Sequence, residues 1–354
     1  VKKLNYLAPL NSLSYGVCGI NFLKCLTEAG INVAIFNIGG IELTDQRYRE
    51  CVQTSLNNQA DYDPLATSLR LFHQFSLAEH VGKGKHVGYI IFELESFNKR
   101  ELHHLRSQDD LIVCSKWARS ILDKYGLKSH VVPLGVDIDV FFPTKSSTDK
   151  DTVFLNLCKY EQRKGHDILI EAFCNAFEPT DAVKLVMVPF NPFIGEDGNK
   201  EWNSYYKMNK MGHRVTILPR LSTQQEIAQV MNNADCGVFP SRAEGWNLPL
   251  LEMMACGKHL IATNYSGHTE FVTKENCHLI EVESTESAFD GVFFFNQGNW
   301  ASFGEHQMEQ LIEHMRAIHR KKQDGSLGVN QAGLATAQQF TWANATEKLI
   351  EAIL

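Results

Sequence analysis

The feature that most constrains this chain is an alternation of strand-like and helix-like stretches that runs twice along its length. LNYLAPL (4–10) is a short apolar run. A helical pattern over 20–29 follows, closed by Gly30 in the position of a C′ glycine. INVAIFNIG (31–39) is a second strand rich in β-branched residues. Strand, helix, strand in that order requires a crossover and so a parallel sheet. Further strands are expected at HVGYIIFEL (86–94), DLIVCS (110–115) and SHVVPLGV (129–136), with a helix over 117–125 ended by Gly126.

The polar, proline-led stretch PTKSSTDKD (143–151) then interrupts the pattern, after which the alternation restarts. TVFLNLC (152–158) is a strand and HDILIEAFCNAF (166–177) a helix. AVKLVMVPF (182–190) and RVTILPR (214–220) are strands, and 222–234 is a helix with Ser222 as N-cap beside Gln225 and Glu226. DCGVFPS (235–241) and HLIATN (259–264) are strands; residues 191–212 fit no element. A chain of 354 residues suits two domains. The expected division is a Rossmann-like domain over 1–143, a linker over 144–151, a second domain over 152–335 and a final helix over 336–354.

Charge excludes some functions. Residues 1–145 hold 16 Lys/Arg against 15 Asp/Glu, and the remainder 18 against 26. Without a basic half or a basic run, neither nucleic acid nor an anionic membrane surface is indicated as partner. The nine cysteines are odd in number and contain no CxxC pair, as expected of reduced thiols in a reducing compartment. The 14 histidines form no HExxH, so no zinc site is expected. No signal-peptide pattern and no apolar run of about 18 residues is present. The expectation is a cytoplasmic protein without a transmembrane segment, peripheral membrane contact being left open.

The sharpest chemistry lies at 239–270, FPSRAEGWNLPLLEMMACGKHLIATNYSGHTE. A helix starting near Leu248 has a proline in its first turn, where a missing N–H costs nothing. Its free N–H groups and positive dipole end are ready for a phosphate. Glu252, about one turn in, reaches a sugar hydroxyl beside that phosphate, and Glu244 lies eight positions before it. A ligand carrying a diphosphate and hydroxyl-rich rings suits this arrangement, and a nucleotide-sugar has both. Two carboxylates alone would read as solvated side chains flanking an amphipathic helix.

Pro240, Ser241, Glu244, Gly245, Trp246, Leu248, Pro249 and Glu252 together resemble the donor-site signature of retaining glycosyltransferases of the GT-B fold, family 4. Asn247 stands where that family usually has glycine. In KYEQRKG (159–165), Lys164-Gly165 matches the family's Lys-Gly, with Lys159 at its arginine position, Cys158 at its glycine position and Arg163 adjacent. Fixed cations aimed at a departing diphosphate stabilise the transition state more than the ground state and stand in for a metal. FTW (340–342) resembles the opening of the family's last helix, which often crosses back to the N-terminal domain.

The resemblance implies an α/β protein with two Rossmann-like, doubly wound parallel-sheet domains facing a cleft. It implies retaining sugar transfer from a nucleotide-diphosphate sugar to a glycan, lipid-linked or small-molecule acceptor, in surface polysaccharide or glycoconjugate synthesis. No cofactor and no metal is implied. Glu244 would contact the transferred sugar, Glu252 the ribose, and Lys164 with Lys159 or Arg163 the diphosphate. Gly245, Trp246, Asn247 and Leu248 would line the donor pocket, with Gly267 and Glu270 of YSGHTE facing the donor and Arg220 beside the base. Gly16, in an expected first turn SYGVCG, would lie near donor phosphate and acceptor. Glu93, with Glu95, would stand on one strand face or at its rim and orient the acceptor. Asp137 and Asp139 read as a structural turn rather than metal ligands. Two other readings stay open: a nucleotide-sugar epimerase of the same fold, and a non-catalytic nucleotide-sugar binder.

Overall fold

The computed structural model describes residues 2–144 and 150–354, and the chain divides into two compact units. One is made of the residues up to Val136 together with Phe340–Leu354; the other is Asp137–Gln339. Most of the expected linker, residues 145–149, lies outside the described residues.

The first unit runs β1 (Lys3–Leu10), α1 (Ser14–Glu28), β2 (Asn32–Ile41), α2 (Arg49–Asn57), β3 (Thr67–Leu71), β4 (His86–Ile90), α3 (Lys99–Arg106), β5 (Asp110–Val113), α4 (Lys116–Asp123) and β6 (His130–Val131). Its six strands are all parallel in the order β2-β1-β3-β4-β5-β6. The strand residues Leu4–Leu10 are buried throughout, as strands covered on both faces must be. Strand β3 escapes the sequence reading because it contains Arg70, which is 2% exposed. Its guanidinium is satisfied by the Ser76 carbonyl at 2.6 Å and by Glu79 at 3.1 Å, so a charge sits inside a strand that is buried over Ser68–Leu71.

Two local expectations are corrected here. Helix α1 begins at Ser14, so Gly16 and Gly19 are helical rather than in a turn. Gly16 is needed for close approach: a Cβ there would stand 2.3 Å from the Asn11 carbonyl oxygen. Strand β4 stops at Ile90, which puts Glu93 and Glu95 in the loop beyond it rather than on a strand face.

The second unit runs β7 (Thr152–Asn156), α5 (His166–Ala176), β8 (Val183–Met187), α6 (Gly195–Lys207), β9 (Val215–Ile217), α7 (Gln224–Asn232), β10 (Cys236–Phe239), α8 (Leu248–Ala255), β11 (His259–Thr263), β12 (His278–Ile280), the antiparallel hairpin β13 (Thr285–Phe289) and β14 (Phe295–Ala301), α9 (Glu305–Gln323) and α10 (Gln331–Gln339). Its parallel sheet has the order β12-β11-β10-β7-β8-β9. The order reverses between β7 and β10, and ligands in open α/β sheets bind beyond the strand ends at such a switch point. Asn156 ties the two strands there, its amide donating to the Val238 carbonyl at 2.8 Å.

The cap of α7 is Thr223, not Ser222. Its hydroxyl accepts from the Glu226 N–H, while the Glu226 carboxylate accepts from both Thr223 and Ser222 N–H groups. Helix α6 occupies the stretch that fits no sequence pattern, because Tyr206 is its one buried residue. Trp202 of α6 stacks on Tyr160 at 5.5 Å, so a tertiary contact holds a polar helix in place.

The chain returns to the first unit in α11 (Trp342–Ile353), capped by Thr341. Trp342 is 5% exposed and meets the Phe22 ring edge-on at 5.2 Å. A Cβ on Gly135 would fall 2.3 Å from the Trp342 nitrogen, so only glycine admits this helix start. Trp342→Ala should destabilise the first unit by about 3–5 kcal/mol. Urea unfolding followed by circular dichroism checks this; an unchanged transition would show that α11 is not held by its tryptophan.

Candidate functional site

The turn after β7 and the turn after β10 meet at the switch point of the second unit. The first carries Lys159, Glu161, Arg163 and Lys164; the second carries Ser241 and Glu244. Gly165 closes the first turn at φ 72°, and a Cβ there would stand 2.1 Å from the Pro240 carbonyl oxygen. The two turns therefore touch backbone to backbone.

Their side chains form one buried ionic cluster. Lys164 Nζ lies 2.8 and 2.7 Å from the two Glu244 carboxylate oxygens. Ser241 Oγ donates to Glu244 at 2.7 Å, and an Arg163 nitrogen reaches it at 3.2 Å. Arg163 also donates to the Ala243 carbonyl at 2.8 Å and to Glu161 at 2.7 Å. Glu161 is held from its other side by Lys159 at 2.7 Å. Sequence reasoning missed Glu161 as a member; the alternating signs of KYEQRK were the available signal. Three cations face two carboxylates, leaving one positive charge over. Lys159 and Lys164 side chains are 32% and 13% exposed and Arg163 only 5%, so the lysines are the cations a ligand can reach.

Burial pushes the Glu244 carboxyl up, but the Lys164 ammonium and the Arg163 guanidinium outweigh it and hold the group at about 2. The same opposition of burial against Arg163 and Lys159 brings Glu161 to about 2. Both are ionised at neutral pH. Cys158 is a neutral thiol at the base of the cluster, pushed up to about 12 by burial, and it donates to the Asn156 side-chain oxygen. His166 fixes the basic turn from behind: one ring nitrogen contacts the Lys159 carbonyl at 2.9 Å and the other the Tyr206 hydroxyl at 2.8 Å. The unread helix α6 thus supports the site through Tyr206.

Helix α8 opens directly after Glu244, with Pro249 in its first turn and no side-chain cap. Asn247 precedes it at φ 78° and ψ 70°. Glu252, 7% exposed, is unlike the other two glutamates. Burial and then the nearby Asp137 carboxylate raise it to about 8, so it is protonated in the free protein at neutral pH. Asp137 also folds its own turn, its carbonyl accepting from Val140 and Phe141 and its carboxylate from the Asp139 N–H.

Of the other sequence candidates, Gly267 joins the cluster. A Cβ there would stand 1.9 Å from the Gly245 oxygen, and its N–H donates to the Glu244 carbonyl at 2.8 Å. Glu270 ends the same short helical turn, half-buried. Trp246 and Leu248 are buried, the indole packing on Phe271 at 4.8 Å. Arg220 is exposed after the edge strand β9, its guanidinium over the Phe190 ring, while Lys159 lies over Phe193 in the same loop. Gly16 and Glu93 belong to the first unit. There Tyr15 donates to the Ile91 carbonyl at 2.6 Å, and the Glu93 charge helps raise the Tyr15 hydroxyl after burial does. Among the described residues no group of three or more His, Cys, Asp or Glu could hold a metal ion, and no helix is long and apolar enough to cross a membrane. All nine cysteines are free thiols.

Residues 137–298, a stretch that contains this whole cluster, match the family described as glycosyl transferases group 1. The fold agrees over the full chain. The structure of Anabaena HepE in complex with UDP-glucose superposes with a TM-score of 0.70, at 18% identity, covering 99% of both chains. The chain has the GT-B fold. An uncharacterized glycosyltransferase of Methanocaldococcus jannaschii is 30% identical over 47% of this GT-B chain, and a D-inositol 3-phosphate glycosyltransferase of Jonesia denitrificans is 25% identical over 61%. The aligned stretches span 43% and 48% of those relatives' own length.

The raised Glu252 carboxyl has a stability consequence with a definite sign. Between about 4.5 and about 8 the unfolded chain ionises this group and the folded chain does not, so its contribution to stability falls as the pH rises through that window. Glu252→Gln should therefore raise the melting temperature of the unliganded protein more at pH 8.5 than at pH 5. Equal shifts at the two pH values in thermal scans would show that Glu252 is already ionised in the folded state.

Proposed function

We propose that this chain transfers a sugar with retention from a nucleotide-diphosphate sugar to a hydroxyl acceptor. The observation that carries this reading is the convergence, at one switch point, of two reachable lysines, the ionised Glu244 and the uncapped start of α8. A diphosphate oxygen set beside that helix start would meet free N–H groups, the positive end of the helix and the Lys159 and Lys164 ammonium groups. As the bond between the sugar C1 and the phosphate oxygen breaks, the electron pair stays with the diphosphate, and those fixed charges stabilise it. The acceptor oxygen bonds to C1 from the face the diphosphate leaves, and its proton passes to the departing phosphate oxygen.

Glu244 contacts the hydroxyls of the transferred sugar. Its carboxylate is held in one orientation by Ser241, Lys164 and Arg163, so it meets the sugar already oriented. Arg163, tied to Glu161, Ala243 and Glu244, is a positioning residue that fixes Glu244 and the turn. Glu252 binds the ribose hydroxyls, and two hydroxyl donors favour its ionised form. Gly267 and Glu270 face the donor, Arg220 with Phe190 lies beside the base, and on the first unit Glu93 and the first turn of α1 at Gly16 take the acceptor. The two ammonium groups take the place of a metal. The setting is surface polysaccharide or glycoconjugate synthesis, in the cytoplasm.

The deciding experiment incubates the protein with UDP-, GDP- and ADP-sugars, with and without hydroxyl acceptors, and identifies the products. Transfer with retained anomeric configuration is expected. Epimerised donor without an acceptor, or binding with no turnover, would replace the proposal by one of the two open readings. Lys164→Ala should lower turnover by about 10²–10³-fold, since it removes a charge aimed at the leaving group. A folded variant with near wild-type turnover would take Lys164 out of the mechanism. Turnover should also survive EDTA; loss that Mn²⁺ or Mg²⁺ restores would show that the lysines do not suffice.

A further inference from the structure

Asn247 is doubly unfavourable to the free protein. Its backbone lies at φ 78°, in the left-handed region where a side chain costs energy and glycine does not. An asparagine before a helix ordinarily offsets such a cost by capping, its side-chain oxygen accepting from a first-turn N–H. Asn247 makes no such bond. Its side-chain Nδ2 is buried with no hydrogen-bond partner, and the residue is 7% exposed. A buried donor left unpaired lowers stability. Strain and an orphaned donor thus coincide on the residue that leads from Glu244 into α8, and α8 itself starts without a cap and without an acidic residue in its first turn.

What this arrangement lacks is an acceptor oxygen. An oxygen placed at the start of α8 would satisfy the Asn247 amide and the open first-turn N–H groups together, and the positive end of the helix selects an anionic one. We propose that Asn247 is a donor-binding residue, its Nδ2 donating a hydrogen bond to a phosphate oxygen of the nucleoside diphosphate, a contact that a glycine at this position cannot make. The assignment rests on the reading of α8 as the diphosphate site. It gives the asparagine a specific signature, because stability and binding then move in opposite directions when it is removed.

Calorimetric titration with UDP, GDP and ADP, beside thermal scans of the unliganded protein, is done on wild type, Asn247→Gly and Asn247→Asp. Asn247→Gly relieves the strain and deletes the orphaned amide, so its melting temperature should equal or exceed that of wild type. Its diphosphate affinity should fall about tenfold to a hundredfold, the loss expected for a hydrogen bond to a charged group. Asn247→Asp keeps the size but sets a carboxylate against the phosphate, and should bind more weakly still. The matching nucleosides, which carry no phosphate, should bind both variants as they bind wild type. A lower melting temperature for Asn247→Gly, or undiminished diphosphate affinity, overturns the assignment while leaving the donor site intact. Loss of affinity for an intact nucleotide-sugar alone would overturn it too, by moving the amide's partner to the transferred sugar. Failure of wild type to bind any of the three diphosphates would overturn the assignment together with the function proposed for the site.

Discussion

The pair of bonds from Lys164 to both oxygens of Glu244 is the interaction on which the rest of the site depends. It joins the turn after β7 to the turn after β10, residues 80 positions apart in sequence. A buried carboxylate without a partner would protonate; here Lys164 and Arg163 keep it ionised at about 2. The pairing is possible because β7 and β10 are adjacent in the sheet, and because Gly165 and Gly267 let the backbones of three loops come into contact. The sheet order thus sets the electrostatics of the cluster directly.

Three glutamates in one small region carry different charge states for reasons of surroundings alone. Glu161 and Glu244 lie against cations and are ionised, while Glu252 lies buried near a second carboxylate and is neutral. The free site therefore combines a fixed negative group, an excess of positive charge and a neutral carboxyl. Asn247 adds backbone strain beside them. Strain and unpaired groups of this kind lower the stability of the unliganded protein, and they cluster at binding sites.

Much of the fold was legible in the sequence, and the reason is local. Apolar runs of strand length, helical spacing and closing glycines at Gly30 and Gly126 record the βαβ alternation without reference to the rest of the chain. Three of the elements that escaped share a different cause. Strand β3 hides a satisfied arginine, α6 buries only Tyr206, and the β13–β14 hairpin exposes Phe289 and Phe295. In each, a contact made elsewhere in the fold, or an apolar group left in solvent, contradicts the local pattern. The same limit applied to Gly16, which the sequence placed in a turn and the fold places in α1 to admit Asn11.

For the candidate site the division follows the same line. By itself the sequence determined that a helix with an early proline and a free N-terminus follows Glu244 and carries Glu252, and that a basic turn ends in Lys164-Gly165. Those features depend on residues within one or two turns of each other. Only the tertiary structure decided that Glu161 and Glu244 pair with three cations, that Glu252 is neutral beside Asp137, and that Asn247 is left with an unpartnered amide. Charge state and hydrogen-bond satisfaction depend on burial and on partners brought in by strand order, and neither is encoded at the position of the residue itself.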